Sequence, residues 1–258
     1  MNITFLGTAG GIIAANRSCP SILIGKNILL DCGEGTTQKL IQVNSIDSIK
    51  TICLSHLHGD HFMGISSLLW YFMITGRREE LTLIGPSPLK GTITKILELT
   101  NIPEALKSLP FKLRFIELTK SDGVVEVDNE FKINYAEMVH PVKTFAYRIE
   151  INGEIICYSG DTSPNQNLIN LADNCDLFIC ESTFSDDQTQ LANQYGHCTP
   201  SDAARIAKDA ECKKLVLVHI SPYFEEIIKN SIESIKKIYN KEILIAEDLM
   251  TLNTVKIE

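Results

Sequence analysis

The sequence Ser55-His56-Leu57-His58-Gly59-Asp60-His61 places three histidines and one aspartate within six positions, between an apolar run at 51–54 and another that begins at Phe62. Burial of so many polar groups requires a partner for each of them, and a metal ion is the simplest such partner. His56 and His58 are two positions apart, so an extended chain places both imidazoles on the same side. Asp60 and His61 follow the turn at Gly59 and face a second position. The motif therefore predicts ligands for two metal ions. The alternative interpretation, a solvated loop or hydrogen-bonded core histidines, is usual for a lone histidine but does not suit four ligands that converge.

Further residues with ligand chemistry follow apolar runs that are typical of β-strands. Side chains at strand ends are held by a rigid sheet while they face a cleft, which suits a metal site. The candidates at such strand ends are His56, His140, Asp161, Glu181 and His219. Their repeated placement indicates one shared site.

The alternation of strands and helices in the first part of the chain indicates a layered α/β architecture. We predict strands at 3–6, 21–24, 27–30, 51–54 and 81–84, helices at 36–43 and 64–73, and a helix after Pro86 that ends near Asn101. The sequence then predicts successive strands at 113–117, 124–127, 131–138, 144–151 and 155–159, the last two joined at Asn152-Gly153, a strong hairpin signal. Strands at 177–180, 214–218, 243–245 and 252–257 complete the prediction, with a helix capped by Thr199 or Ser201 and another at 222–239. The sheet is therefore expected to be partly antiparallel.

The composition is that of a globular protein, with 44% hydrophobic and 22% charged residues. No linker or low-complexity tract interrupts the chain, so we expect a single domain over residues 1–258. The start Met1–Leu6 lacks the basic and extended apolar regions of a signal peptide, and no apolar run is long enough to cross a bilayer. A cytoplasmic protein with no membrane partner is expected.

The net charge of −8 argues against a nucleic-acid footprint over the whole surface. The charge does not exclude a local basic patch that binds nucleic acid, although such clusters are more often ordinary solvated surface. The candidates are Arg77-Arg78, Lys107 with Lys112 and Arg114, and Lys213-Lys214.

Eight cysteines occur without any C-x-x-C pair, and several lie in strand-like runs. This pattern favours reduced, buried thiols. An additional metal site made by Cys175 and Cys180 is the alternative, which their spacing does not support. The glycine-rich stretch from Gly7 to Gly11 lacks the spacing of a P-loop, which argues against nucleotide binding there.

The motif His56-x-His58-x-Asp60-His61, followed in order by His140, Asp161 and His219, resembles the metallo-β-lactamase superfamily. The resemblance covers almost the whole chain. It implies an α/β (α+β) fold, a four-layer αββα sandwich, with two metal ions between loops at one edge.

Within that superfamily the chain is most similar to the ribonuclease Z group, which cuts the 3′ trailer from precursor tRNA. The matching stretches are 29–36, 56–64, Gly85-Pro86, 158–162, 181–184, 196–199 and 219–223. The resemblance implies a zinc-dependent phosphodiesterase with endonuclease activity, precursor tRNA as substrate, and a homodimer.

The same resemblance implies a role for each site residue. His56, His58 and His140 would bind one Zn²⁺. Asp60, His61 and His219 would bind the other, with Asp161 bridging the two ions. His197, paired with Glu181, would match the proton-donating histidine of the group. Mn²⁺ or Fe²⁺ also suit imidazole and carboxylate ligands.

Two metal ions can lower the pKa of a shared water and hold a phosphodiester for in-line attack, with Asp60 and Asp161 orienting the water. The leaving oxygen then needs a proton, which His197 can supply. The arm with which the group grips tRNA is absent, because only residues 141–157 fill the interval where it is inserted. The substrate could therefore instead be a small cyclic phosphodiester, a sulfate ester or a lactone. A third interpretation is a non-catalytic scaffold that a metal ion stabilises. In such a structural site, protein ligands would fill every coordination position of the metal.

Some individual residues have alternative roles that the sequence leaves open. His197 could be a capping or packing histidine at the start of a helix. Asp31 is interpreted as a turn-forming residue or as support for a ligating histidine. Ser182 and Ser221 are expected to hydrogen-bond within their loops, because a metal-activated water makes a serine nucleophile unnecessary.

Overall fold

The structure of the chain is a computed structural model that describes residues 1–100, 105–127 and 131–253. The described residues form two compact units. The first unit comprises Met1–Gly7, Asn16–Thr119 and the segment that starts at Asp248. The second unit comprises Thr8–Ala15 and Lys120–Glu247. The expected single domain stays a prediction.

Among its described residues, the first unit contains a seven-stranded mixed sheet and four α-helices. The strands are β1 (Asn2–Gly7), β2 (Ser21–Ile24), β3 (Ile28–Leu30), β4 (Thr51–Cys53), β5 (Leu81–Pro86), β6 (Leu113–Leu118) and β14 (Thr251–Asn253). The helices are α1 (Thr36–Gln42), α2 (Gly59–Phe62), α3 (Gly64–Ile74) and α4 (Leu89–Leu99). The sheet order is β14-β1-β2-β3-β4-β5-β6; β3 to β6 are parallel and the other pairs antiparallel.

The core of the first unit is made by the strands and by the apolar faces of α1, α3 and α4. Ile52, Leu68 and Phe72 are completely buried in it. Full burial of such a side chain contributes about 1.5–3 kcal/mol. This packing holds the loop between β4 and α3, which carries the histidine-rich motif, against a rigid base.

The second unit contains another seven-stranded mixed sheet. Its strands are β7 (Asp122–Val127), β8 (Phe131–Glu137), β9 (Phe145–Ile151), β10 (Glu154–Tyr158), β11 (Leu177–Glu181), β12 (Lys214–Val218) and β13 (Glu242–Ile245). Its helices are α5 (Gln166–Ala172), α6 (Thr189–Tyr195), α7 (Pro200–Asp209) and α8 (Glu225–Ile235). The order is β13-β12-β11-β10-β9-β8-β7, parallel from β10 to β13 and antiparallel from β7 to β10.

The core of the second unit lies between its sheet and the helices α5, α7 and α8. Phe178, Leu217 and Ile220 are completely buried there, together with small residues such as Ala203 and Ala207. The small residues of α7 allow the helix to approach the sheet closely. The strand ends of this unit are thereby fixed.

Most predicted elements are confirmed, including the partly antiparallel pairing and the hairpin at Asn152-Gly153, where both residues have positive φ angles. Thr199 is the cap of α7: its hydroxyl accepts from the amide of Asp202, whose carboxylate accepts from the amide of Thr199. The helix predicted over 222–239 is shorter and spans Glu225–Ile235. The helices α5 and α6 were not predicted. Asn101 and residues 254–257, at the predicted ends of a helix and a strand, lie outside the described residues.

Two predictions about charged and sulfur-containing side chains have definite outcomes. Arg77 is not part of a surface patch, because its guanidinium lies 4.5 Å from the centre of the Phe72 ring and donates to the carbonyl oxygen of Ile49. Burial lowers the pKa of this guanidinium. All eight cysteines are free and buried, as predicted.

Among residues 1–100, 105–127 and 131–253, no helix combines the length and apolarity needed to span a membrane.

The contribution of Phe72 to the first core can be measured. Phe72→Ala should lower the free energy of unfolding by about 3–5 kcal/mol, because it leaves a cavity beside Phe111 and removes the ring beneath Arg77. Ile74→Ala, on the same helix but 68% exposed, should cost about 0.5 kcal/mol or less. Urea unfolding followed by circular dichroism gives both values, and equal losses would contradict the assignment.

The thiols should be protected in the folded protein. Burial raises the pKa of the thiols of Cys32, Cys53 and Cys157, which keeps them protonated and unreactive at neutral pH. An Ellman assay at pH 7 should detect slow reaction in the native state and all eight thiols after denaturation. Rapid reaction of the native protein would show that these side chains are accessible.

Candidate metal centre

In the first unit, the loop after β4 carries four potential ligands. His56 and His61 are buried, whereas His58 and Asp60 are half-buried. The ring centre of His56 lies 4.7 Å from that of His58 and 4.1 Å from that of His61. His61 Nε2 lies 3.5 Å from Asp60 Oδ2. The four side chains predicted from the motif are thus grouped in space.

The buried carboxylate of Asp31, directly after β3, orients this loop. Its Oδ1 accepts from the amide of Ser55 at 2.7 Å, and its Oδ2 accepts from Ser55 Oγ and from His61 Nδ1, each at 2.8 Å. Ser55 Oγ uses its proton on Asp31, so it accepts from His56 Nδ1 at 3.0 Å. Both histidines therefore carry their proton on Nδ1, which makes Nε2 the atom that would bind a metal. Of the two interpretations of Asp31, support for a ligating histidine is the one that its contacts match. Its φ angle of 54° lies in the left-handed region.

Two glycines let the backbone pack closely beneath the loop. A Cβ atom on Gly33 would lie 2.2 Å from the carbonyl oxygen of Asp60, and one on Gly64 would lie 2.0 Å from that of Gly33. The amide of Cys32 also donates to the carbonyl oxygen of His61 at 2.8 Å. The segment after β3 and the histidine-rich loop are therefore held together through their backbones.

In the second unit, Asp161 follows β10 and His219 follows β12, and both are buried. His219 Nε2 lies 3.4 Å from Asp161 Oδ2, and His197 Nδ1 lies 4.0 Å from the same oxygen. Asp161, His197 and His219 each offer one ligand atom within a mutual distance of 4.8 Å. His140 donates from Nδ1 to the carbonyl oxygen of Gly196 at 2.9 Å, which makes Nε2 its ligand atom.

The glycine-rich segment before Ala14 contributes to the position of His219. The amide of Ile220 donates to the carbonyl oxygen of Thr8, and a Cβ atom on Gly10 would lie 2.6 Å from Cε1 of His219. Only glycine at position 10 leaves room for this imidazole. The segment thus packs against a histidine, a role that the sequence did not indicate.

Glu181 and His197 form a close pair. His197 Nδ1 donates to Glu181 Oε1 at 2.8 Å, and the amide of Thr162 donates to the same oxygen at 2.9 Å. The second carboxylate oxygen accepts from the amide and the hydroxyl of Thr183. These donors offset the cost of burying the carboxylate. His197 is not the cap of α7, because Thr199 has that role.

The structure brings the predicted site residues together in two groups, one in each unit. The first group is His56, His58, Asp60 and His61; the second is His140, Asp161, Glu181, His197 and His219. Among the described residues, no group of potential metal ligands contains Cys175 or Cys180, so the alternative site is not supported. Ser182 hydrogen-bonds to its own loop, as expected. Thr183 and Gly10 were missed, since neither residue type has ligand chemistry of its own.

Imidazole and carboxylate donors with fixed tautomers are the ligand set of a divalent transition-metal ion. Each group contains both donor types, and the Nδ1 atoms of His56, His61, His140 and His219 are occupied by protein partners. The residues present therefore fit a divalent metal.

Comparisons with known proteins give a consistent result. Residues 26–220 match the model of the β-lactamase superfamily domain. The ribonuclease Z of Saccharolobus solfataricus is 30% identical over 95% of this chain and 96% of that protein. The ribonuclease Z of Picrophilus torridus is 32% identical over 96% and 94%.

Solved structures agree with the sequence relatives. The short form of human tRNase Z superposes with a TM-score of 0.82 at 27% identity, covering 99% of this chain and 100% of that one. The metallo-β-lactamase fold protein YhfI from Bacillus subtilis gives a TM-score of 0.82 at 25% identity, over 98% and 99%. Two mixed sheets flanked by helices match the fold of these proteins, which confirms the predicted metallo-β-lactamase sandwich.

The role of Asp31 can be tested through metal affinity. Asp31→Asn should weaken binding of a divalent metal by about 10–100-fold, because an amide cannot accept from Ser55 and His61 as the carboxylate does. Chelator competition measures the affinity. Asp47→Asn, an exposed acid of the same unit, is the matched control and should bind metal like the wild type. Equal metal affinities for both variants would show that Asp31 does not support the ligating histidines.

Proposed function

Because the chain belongs to the ribonuclease Z family of the β-lactamase superfamily, we propose that it is a zinc-dependent phosphodiesterase that removes the 3′ trailer from precursor tRNA as an endonuclease. The observation that carries the proposal is the pair of histidine and carboxylate groups at strand ends, in a chain that matches ribonucleases Z over nearly its full length.

For the metal ions, we propose the ligand sets that the sequence implies. His56, His58 and His140 would hold one ion, Asp60, His61 and His219 would hold the other, and Asp161 would be a ligand shared by both. The fixed Nδ1 protons support this assignment, since they leave Nε2 for the metal. Zinc suits these donors best, and Mn²⁺ or Fe²⁺ can occupy similar sites. Such ions, when bound, supply charge neutralisation for a phosphodiester and a water of lowered pKa.

The protein residues then have distinct tasks. Asp60 and Asp161 orient the attacking water and keep the site negative. His197, as the doubly protonated imidazolium, donates its Nε2 proton to the leaving oxygen while its Nδ1–H stays hydrogen-bonded to Glu181 Oε1. General-acid catalysis of this kind contributes roughly 10²–10⁴-fold to the rate.

A second substrate class is favoured by two observations. Residues 141–157 form the strand β9 and most of β10, so this interval contains no protruding arm. Three lysines of the suggested basic patches form ion pairs with carboxylates: Lys112 with Glu80, Lys213 with Asp176 and Lys214 with Glu242. With a net charge of −8, these features support a small cyclic phosphodiester, a sulfate ester or a lactone as the alternative to precursor tRNA.

We also propose that the protein acts in the cytoplasm as a homodimer. The family resemblance supports the homodimer. In a dimer, the partner subunit could supply substrate contacts that this chain lacks.

The proposal is tested by cleavage and metal analysis on one preparation. Purified protein should contain zinc and should cleave precursor tRNA, and a chelator should abolish cleavage. His56→Ala should lose both metal and activity. His197→Ala should keep the metal and lose roughly 10²–10⁴-fold in rate. Glu233→Ala, at an exposed position of α8, is the control and should behave like wild type.

The two substrate classes are separated by relative rates. Faster turnover of a cyclic nucleotide than of precursor tRNA would select the small-substrate alternative. Full cleavage by metal-free protein would overturn the mechanism for either substrate.

A further inference from the structure

The hydroxyl group of Thr183 lies among three residues of the candidate site. Thr183 Oγ1 is 2.7 Å from His219 Nδ1, 2.8 Å from Glu181 Oε2 and 3.2 Å from His197 Nδ1. Thr183 follows β11 by two residues, and its amide also donates to Glu181 Oε2 at 3.2 Å. One small side chain therefore contacts a metal-ligand candidate and both members of the proton-donating pair.

Proton counting determines the direction of these hydrogen bonds. A threonine hydroxyl has one proton to donate and lone pairs with which to accept. The carboxylate of Glu181 accepts only, so Oγ1 donates to Oε2 and accepts from His219 Nδ1. His197 Nδ1 donates to Glu181 Oε1, which at 2.8 Å is nearer than Thr183 Oγ1. The proton of His219 is thereby held on Nδ1, and its Nε2 faces Asp161.

We propose that Thr183 is a positioning residue that links the metal ligand His219 to the proton-donating pair Glu181 and His197. This inference rests on the proposed function. Thr183 sets the tautomer and ring orientation of His219, and it fixes the second oxygen of the carboxylate that orients His197. Loss of this hydroxyl should therefore weaken metal binding and slow proton donation.

The chain offers well-matched variants for a test. Thr183→Val keeps the side-chain shape and removes the hydroxyl, whereas Thr183→Ser keeps the hydroxyl. Thr189→Val is the control, because Thr189 is also half-buried in the same unit and its hydroxyl donates to a backbone carbonyl oxygen, that of Asp186. Urea unfolding of each variant shows whether a loss is due to the fold.

The first measurement is zinc affinity by chelator competition. Thr183→Val should bind zinc about 10–100-fold more weakly than wild type, which is the usual effect of removing a partner of a ligating histidine. Thr183→Ser and Thr189→Val should bind zinc within about 3-fold of wild type, since both retain the hydrogen bond to His219.

The second measurement is kcat at saturating zinc, in the wild-type and His197→Ala backgrounds. Thr183→Val should lower kcat in the wild-type background and have little further effect once His197 is absent, because residues that act as a unit are not additive. A merely structural role would give the same fold-loss in both backgrounds.

The outcomes separate this inference from the proposed function. If wild type binds zinc and cleaves diesters while Thr183→Val matches it in affinity and kcat, the linking role is wrong and the function stands. If wild type binds no divalent ion, the proposed function and the role of Thr183 are both wrong.

Discussion

The candidate site depends on one constraint, the fixing of imidazole Nδ1 atoms by acceptors of the protein. An imidazole whose Nδ1–H is held by an acceptor has only Nε2 left for a metal or a substrate. The donor and acceptor pairs are His56 with Ser55, His61 with Asp31, His140 with Gly196, His197 with Glu181 and His219 with Thr183. The acceptors are two carboxylates, two hydroxyls and a backbone carbonyl, so different chemical groups meet the same requirement.

The backbone is strained or closely packed where these residues lie. Asp31 and His219 have φ angles of 54° and 58°, in the left-handed region that non-glycine residues seldom adopt. Such a conformation costs of order 1–3 kcal/mol and persists where the surroundings hold it. The surroundings here are the ends of β3 and β12, together with the glycines that permit close approach, Gly33 beneath the loop and Gly10 beside His219. The buried cores of the two units offset this cost.

The choice between the two proposed substrate classes depends on surface features rather than on the candidate metal ligands. The hairpin of β9 and β10 occupies the interval in which ribonucleases Z are expected to carry an arm. The ion pairs of Lys112, Lys213 and Lys214 neutralise basic side chains that could contact phosphates. The proposed catalytic chemistry thus also suits a smaller substrate, since phosphodiester cleavage by this mechanism would need metal ions and a proton donor but not the arm.

The sequence by itself identified the candidate ligands, the strand ends that carry them and most of the regular elements. Apolar runs with period two and the spacing of the histidine motif are local signals, and His140, Asp161 and His219 each follow such a run. The short helices α5 and α6 escaped prediction because seven residues contain too few turns to show a helical period. Only the tertiary structure decided the tautomers of the histidines and the roles of Asp31, Gly10 and Thr183. The reason is physical: these roles are hydrogen bonds and close contacts between residues such as Thr183 and His219, which are 36 positions apart in the chain and meet only once the sheet has formed.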